Sequence, residues 1–134
     1  MIVWKEEYRV GIESIDEQHK KLLEIADRVV KLLQDELITD KYDKIVALLE
    51  ELKEYTVYHF TFEEAYMKSI GYSKLLSHKV AHDDFIEKIS NIDLNKIDDD
   101  QDGYLLSLLD FVADWIGNHI MKTDKKYAGL EPED

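Results

Sequence analysis

The stretch "IVALLEELKEYTVYHFTFEEAYMKSIG", residues 45–71, decides the fold. Ile45, Leu48, Leu49, Leu52, Tyr55, Phe62, Tyr66 and Ile70 recur at steps that keep one face of an α-helix apolar, and Gly71 stands where such a helix is expected to stop. A helix this long cannot bury its stripe alone and must find partners elsewhere in the chain.

Three further segments supply them. The first carries Ile15, Leu22, Leu23, Ala26, Val29, Val30 and Leu33, with Asp16 as the expected cap. Another carries Leu75, Phe85, Ile86 and Ile89, with Ser73 as the expected cap, and the last carries Leu105, Leu108, Leu109, Val112, Trp115 and Ile116. Between these two lies "NKIDDDQDG", a polar connection that serves as loop and then helix start. Its "DDDQD" run at 98–102 lacks the alternating ligand spacing and closing Glu of a calcium loop, so it reads as solvated chain. Short connections make consecutive helices antiparallel. The expected fold is all-α: an up-down-up-down four-helix bundle, one domain over residues 1–134, with an extended N-terminal arm and a short C-terminal tail.

Bulk properties narrow the chemistry. Seventeen basic against thirty acidic side chains give a formal charge of -13, which repels nucleic acid and anionic lipid. No apolar stretch approaches the ~20 residues of a membrane span. No cysteine is present, so thiol catalysis, disulfides, Cys-zinc sites and iron-sulfur clusters are excluded. Charges at Lys5, Glu6, Glu7 and Arg9 occupy the place of a signal peptide's apolar core, and a cytoplasmic location is expected. The acidity favours a soluble monomer.

Histidine and carboxylate remain, and they fall on the apolar stripes. His59 follows Tyr55 by four, and Glu63 follows His59 by four. His19 follows Ile15 by four. His78 and His82 in "HKVAH" repeat the four-residue step beside Leu75 and Phe85, and His119 follows Trp115 by four. All five histidines are expected to point into the bundle. Buried imidazoles without a common ligand would leave donors and acceptors unpaired at ~1–3 kcal/mol each, and a buried carboxylate costs several kcal/mol unless it is paired or bound to a cation. Asp124 follows His119 by five, which on a continuous helix turns it away by ~140°. The helix is therefore expected to end between them, where a looser turn swings Asp124 back beneath His119.

So many ligands suggest two ions, and imidazole-rich donors argue for a transition metal: iron, manganese, copper or zinc. The set lacks the four glutamates of ferritin-like bundles. If Glu63 and Asp124 each bridged two octahedral irons beside one solvent-derived oxygen, six positions would remain, and five histidines would leave one open.

At this point the sequence resembles the hemerythrin family, single-domain bacterial type. The resemblance runs from "VWKEEYRVGIESIDEQH" through "HFTFEEAYM" and "HKVAH" to "NHIMKTDKKY". It implies a di-iron centre (Fe2+/Fe3+) with an oxo or hydroxo bridge, His78, His82 and His119 on the fully coordinated iron, His19 and His59 on the other, and Glu63 and Asp124 bridging. The implied activity is reversible dioxygen binding for storage, delivery or sensing, with no catalytic residues; delivery would involve an oxygen-consuming enzyme. The alternative is redox chemistry at the same site on peroxide, nitric oxide or iron centres. Phe62 and Ile116 are the expected walls of the ligand pocket.

Overall fold

The computed structural model describes residues 2–35, 42–91 and 101–127. Among them are four α-helices: α1 (Glu13–Gln34), α2 (Tyr42–Ser69), α3 (Leu75–Ser90) and α4 (Gln101–Lys122), with 3-10 turns at Glu6–Tyr8 and Asp124–Lys126. α1 packs on α2 and α4, and α2 also packs on α3, which makes the four-helix bundle the periodicity calls for. Most of the "DDDQD" run lies outside the described residues, its last two residues beginning α4. None of the described helices is long and apolar enough to cross a membrane.

The quoted stretch forms α2, and its buried line is Ile45, Leu49, Leu52, Thr56, His59, Phe60, Glu63 and Met67. Those steps of three and four are the expected period, but the line sits slightly to one side of the aromatic series read from the sequence. Phe60 and Phe62 lie about 160° apart around a helix, so only one of them can turn inward while His59 and Glu63 hold the centre. Phe60 does, at 3% exposure, and Phe62 is left at 37%. The helix ends as expected at Gly71, whose φ of +69° a side chain would oppose. There the Gly71 N–H donates to Lys68 C=O at 3.1 Å and the Tyr72 N–H to Met67 C=O at 3.0 Å, the paired bonds that close a helix around a left-handed residue.

Both expected caps are corrected. α1 begins at Glu13 with Ile12 as its cap, so Asp16 lies inside the first turn. Its buried carboxylate instead accepts from the Val10 N–H at 2.8 Å and the Gly11 N–H at 3.2 Å, tying the arm to the helix. Ser73 lies before the Lys74 cap of α3, which makes no side-chain capping bond. The arm is fastened again where the Ile2 N–H donates to Asp27 at 2.9 Å. Tyr8 rests on α4 at Gly117, where a Cβ would come within 3.1 Å of the tyrosine hydroxyl.

Candidate metal centre

Every helix contributes. α1 brings His19, α2 brings His59 and Glu63, α3 brings His78 and His82, and α4 brings His119. Asp124 opens the 3-10 turn after α4, so the helix does end between it and His119, and its carboxylate returns to 3.0 Å from His119 Nε2. All seven expected ligand residues are buried within the bundle, His119 being the most exposed at 8%.

Their atoms gather in two overlapping groups: Glu63, His78, His82, His119 and Asp124 in one, and His19, His59 and Glu63 in the other. Glu63 Oε1 lies 2.8 Å from His78 Nε2 and 3.1 Å from His82 Nε2, while its Oε2 lies 3.2 Å from His59 Nε2 and 3.5 Å from His19 Nε2. Asp124 divides in the same way, with Oδ1 2.9 Å from His78 Nε2 and Oδ2 3.2 Å from His19 Nε2. Each carboxylate thus turns one oxygen to either group.

These contacts are short, yet both oxygens of Glu63, both of Asp124 and both ring nitrogens of His19 lack a partner in hydrogen-bonding geometry. The atoms aim at shared centres rather than at one another. His119 Nε2 stands 3.0 Å from His78 Nε2 and 3.1 Å from His82 Nε2. Neighbouring donors at right angles around an ion with bonds of ~2.1 Å would be ~3.0 Å apart, whereas a tetrahedron would spread them to ~3.4 Å. The observed spacing is the one that right-angled donors around a common ion would have.

The electrostatics follow from packing ionisable groups without water. Burial would depress His19 and His78, but the Asp124 and Glu63 carboxylates outweigh it and hold both at about 9. His59 moves down, because burial exceeds what Glu63 returns. Burial would raise Glu63, yet His19, His59, His78 and His82 hold it well below the usual carboxylate range. Burial and the Glu63 charge would raise Asp124 too, and His119, His19 and His78 reverse that. Tyr127 is fully buried, and its phenol is pushed up by burial and then by the Glu63 and Asp124 charges, so it stays protonated.

Aromatic rings clamp the imidazoles. Phe60 stacks on His82 with centroids 3.7 Å apart, and Trp115 stacks on His119 at 4.4 Å. Phe60, not the expected Phe62, is the phenylalanine at the site; Ile116 is buried at 3%, one turn before His119. Sequence reasoning also passed over Gln18, Glu64 and Tyr127. Gln18 and Glu64 each adjoin a predicted ligand in sequence, which turns them ~100° away from it on their own helix. From there each reaches the far ring nitrogen of a histidine on the next helix, His59 and His82 respectively.

Comparison with known proteins agrees with this architecture. The chain is 50% identical to a bacteriohemerythrin from Clostridium acetobutylicum over 95% of its own length and 98% of that protein. It is 33% identical to a myohemerythrin from Theromyzon tessulatum, covering 94% of this chain and 90% of that one. A crystal structure of wild-type hemerythrin superposes with a TM-score of 0.78 at 29% identity, covering 97% of each chain. Residues 10–130 match the family model described as the hemerythrin HHE cation binding domain, and the chain belongs to that family.

Proposed function

We propose that the chain, as one domain over residues 1–134, binds dioxygen reversibly at two non-heme irons within the bundle and acts as a binding protein rather than an enzyme. The observation that carries this reading is the way Glu63 and Asp124 each turn one oxygen to His78 and the other to His19. Two carboxylates spanning the same pair of donor groups are what two adjacent cations need as bridges. His78, His82 and His119 would hold one iron, and His19 and His59 the other. With octahedral ions and one solvent-derived bridge, the five histidines leave a single position for a small ligand.

When bound, the iron pair supplies the reversible redox chemistry through which dioxygen is taken up and released. The chain's own task is to orient the donors and keep water out. Phe60 and Trp115 fix the planes of His82 and His119. Ile116 walls the site from α4. The Tyr127 hydroxyl, held protonated, keeps a neutral donor among the carboxylates. We infer a monomeric cytoplasmic carrier that stores oxygen or passes it to an oxygen-consuming enzyme.

Anaerobic reconstitution with ferrous iron should yield about two irons per chain. Repeated oxygenation and deoxygenation, followed by visible absorption, should then cycle without loss. Failure to retain iron would remove the di-iron reading, whereas rapid irreversible conversion to the ferric form with peroxide turnover would favour a redox enzyme.

A further inference from the structure

The two donor groups differ in what stands behind their histidines. On the three-histidine side, His82 Nδ1 lies 3.0 Å from Glu64 Oε2. On the two-histidine side, His59 Nδ1 lies 2.6 Å from Gln18 Oε1. Both oxygens accept, so each Nδ1 carries a proton and donates it, which leaves each Nε2 directed toward the centre. His19 Nδ1 and His78 Nδ1 have no such partner. Each side therefore has a histidine held from behind, His82 by an anion and His59 by a neutral amide.

We propose that Glu64 and Gln18 are a matched pair of positioning residues that make the two metal positions electronically unequal. A carboxylate hydrogen-bonded to an imidazole N–H raises the basicity of the opposite nitrogen, and an amide does so much less. The charge on Glu64 acts through His82 to stabilise the ferric form on the three-histidine side. Gln18 orients His59 without adding charge, so the side with the open position keeps the greater preference for the ferrous form. Low-dielectric surroundings strengthen the difference, since Phe60 covers the His82 ring face to face. Glu64 itself is 22% exposed, in a groove between α2 and α3 lined by Val57, Phe60, Leu75 and Ile86. A glutamine there fits the same space and removes only the charge.

This inference rests on the di-iron reading, and two measurements keep the failures apart. In metal-free protein, 15N-resolved histidine spectra should place the His59 and His82 protons on Nδ1. A His82 Nδ1 without a proton would overturn the positioning role whatever the metal. In iron-loaded protein, a spectroelectrochemical titration compares the unsubstituted chain with Glu64→Gln and Gln18→Glu. Glu64→Gln should keep both irons and move one oxidation step toward the ferrous form by about tenfold, which is about 59 mV for one electron. Gln18→Glu should move the other step by a similar factor toward the ferric form, and Glu64→Asp should recover much of the Glu64→Gln shift. Fully loaded variants with both steps within twofold of the unsubstituted chain would overturn the proposal, as would both substitutions moving the same step in the same direction. If Glu64→Gln does not hold iron, the Gln18→Glu step decides. An unsubstituted chain that takes up no iron refutes the di-iron reading, with the proton positions still judging the hydrogen bonds.

Discussion

Raising the pH on the metal-free protein should weaken it steeply, and the structure gives the size of the effect. His19 and His78 are held at about 9 by the buried carboxylates, against a reference near 6.5 in the unfolded chain. A folded-state value above the unfolded one means that the folded state binds the proton more tightly. The stabilisation is complete below about pH 6.5 and disappears as pH rises through about 9. At ~1.4 kcal/mol per pKa unit, each histidine taken singly contributes about 3 kcal/mol, against a total stability of ~5–15 kcal/mol; sharing Asp124 and Glu63, the two do not simply add. Glu63 and Asp124 act in the opposite direction: their depressed values give stability that is present above about pH 4.5 and fades as the solution is acidified. His59, held down by burial, costs stability below about pH 6.5, so the metal-free chain should be most stable toward the upper end of the window between about pH 4.5 and 6.5. Urea unfolding with a chelator present, followed by far-ultraviolet circular dichroism at pH 6 and pH 9.5, measures the alkaline loss. Several kcal/mol should disappear between the two, and the iron-loaded protein should not show the drop, because bound metal replaces the protons. Equal stabilities at the two values would mean that the imidazoles and carboxylates are not paired as the geometry requires.

Other substitutions separate ligation from packing. His78→Ala or His82→Ala should lower iron content and melting temperature together; intact iron stoichiometry would contradict their placement among the ligands. Phe60→Ala removes a buried ring stacked on His82 and should cost about 3–5 kcal/mol by denaturant titration, while Phe62→Ala, on the exposed side of the same helix, should stay within about 0.5 kcal/mol. Replacing Ile116 by a smaller or polar residue should leave iron bound but speed autoxidation, followed as loss of the oxygenated spectrum. An unchanged rate would reduce Ile116 to ordinary core packing.

The helices and the buried histidines and carboxylates were legible in the sequence because both depend on local geometry. A residue's angular position on a helix follows from its number, so Ile45 to Ile70 specified α2, and by the same arithmetic His59 and Glu63 share a face of α2 and His78 and His82 a face of α3. Even the five-residue step from His119 to Asp124 was readable, as a helix end that the 3-10 turn at Asp124–Lys126 supplies. The caps were less legible. Asp16 suits a cap by type, but the arm it binds through Val10 and Gly11 is fixed by a fold that no single window of sequence contains.

Only the tertiary structure could decide what crosses between helices. Phe60 and Phe62 are chemically identical and equally close to His59 and Glu63 in sequence; the placement of α3 and α4 turns one onto His82 and leaves the other partly exposed. Gln18 and Glu64 reach histidines on neighbouring helices, contacts set by how the helices are stacked and rotated against one another. The division of Glu63 and Asp124 between two donor groups likewise exists only once the helices have met. The sequence by itself determined which faces are buried and which side chains they carry, because helical period is a property of the chain. Which atoms then stand within 3 Å of each other was decided by packing, because that distance is set between segments that the chain does not join.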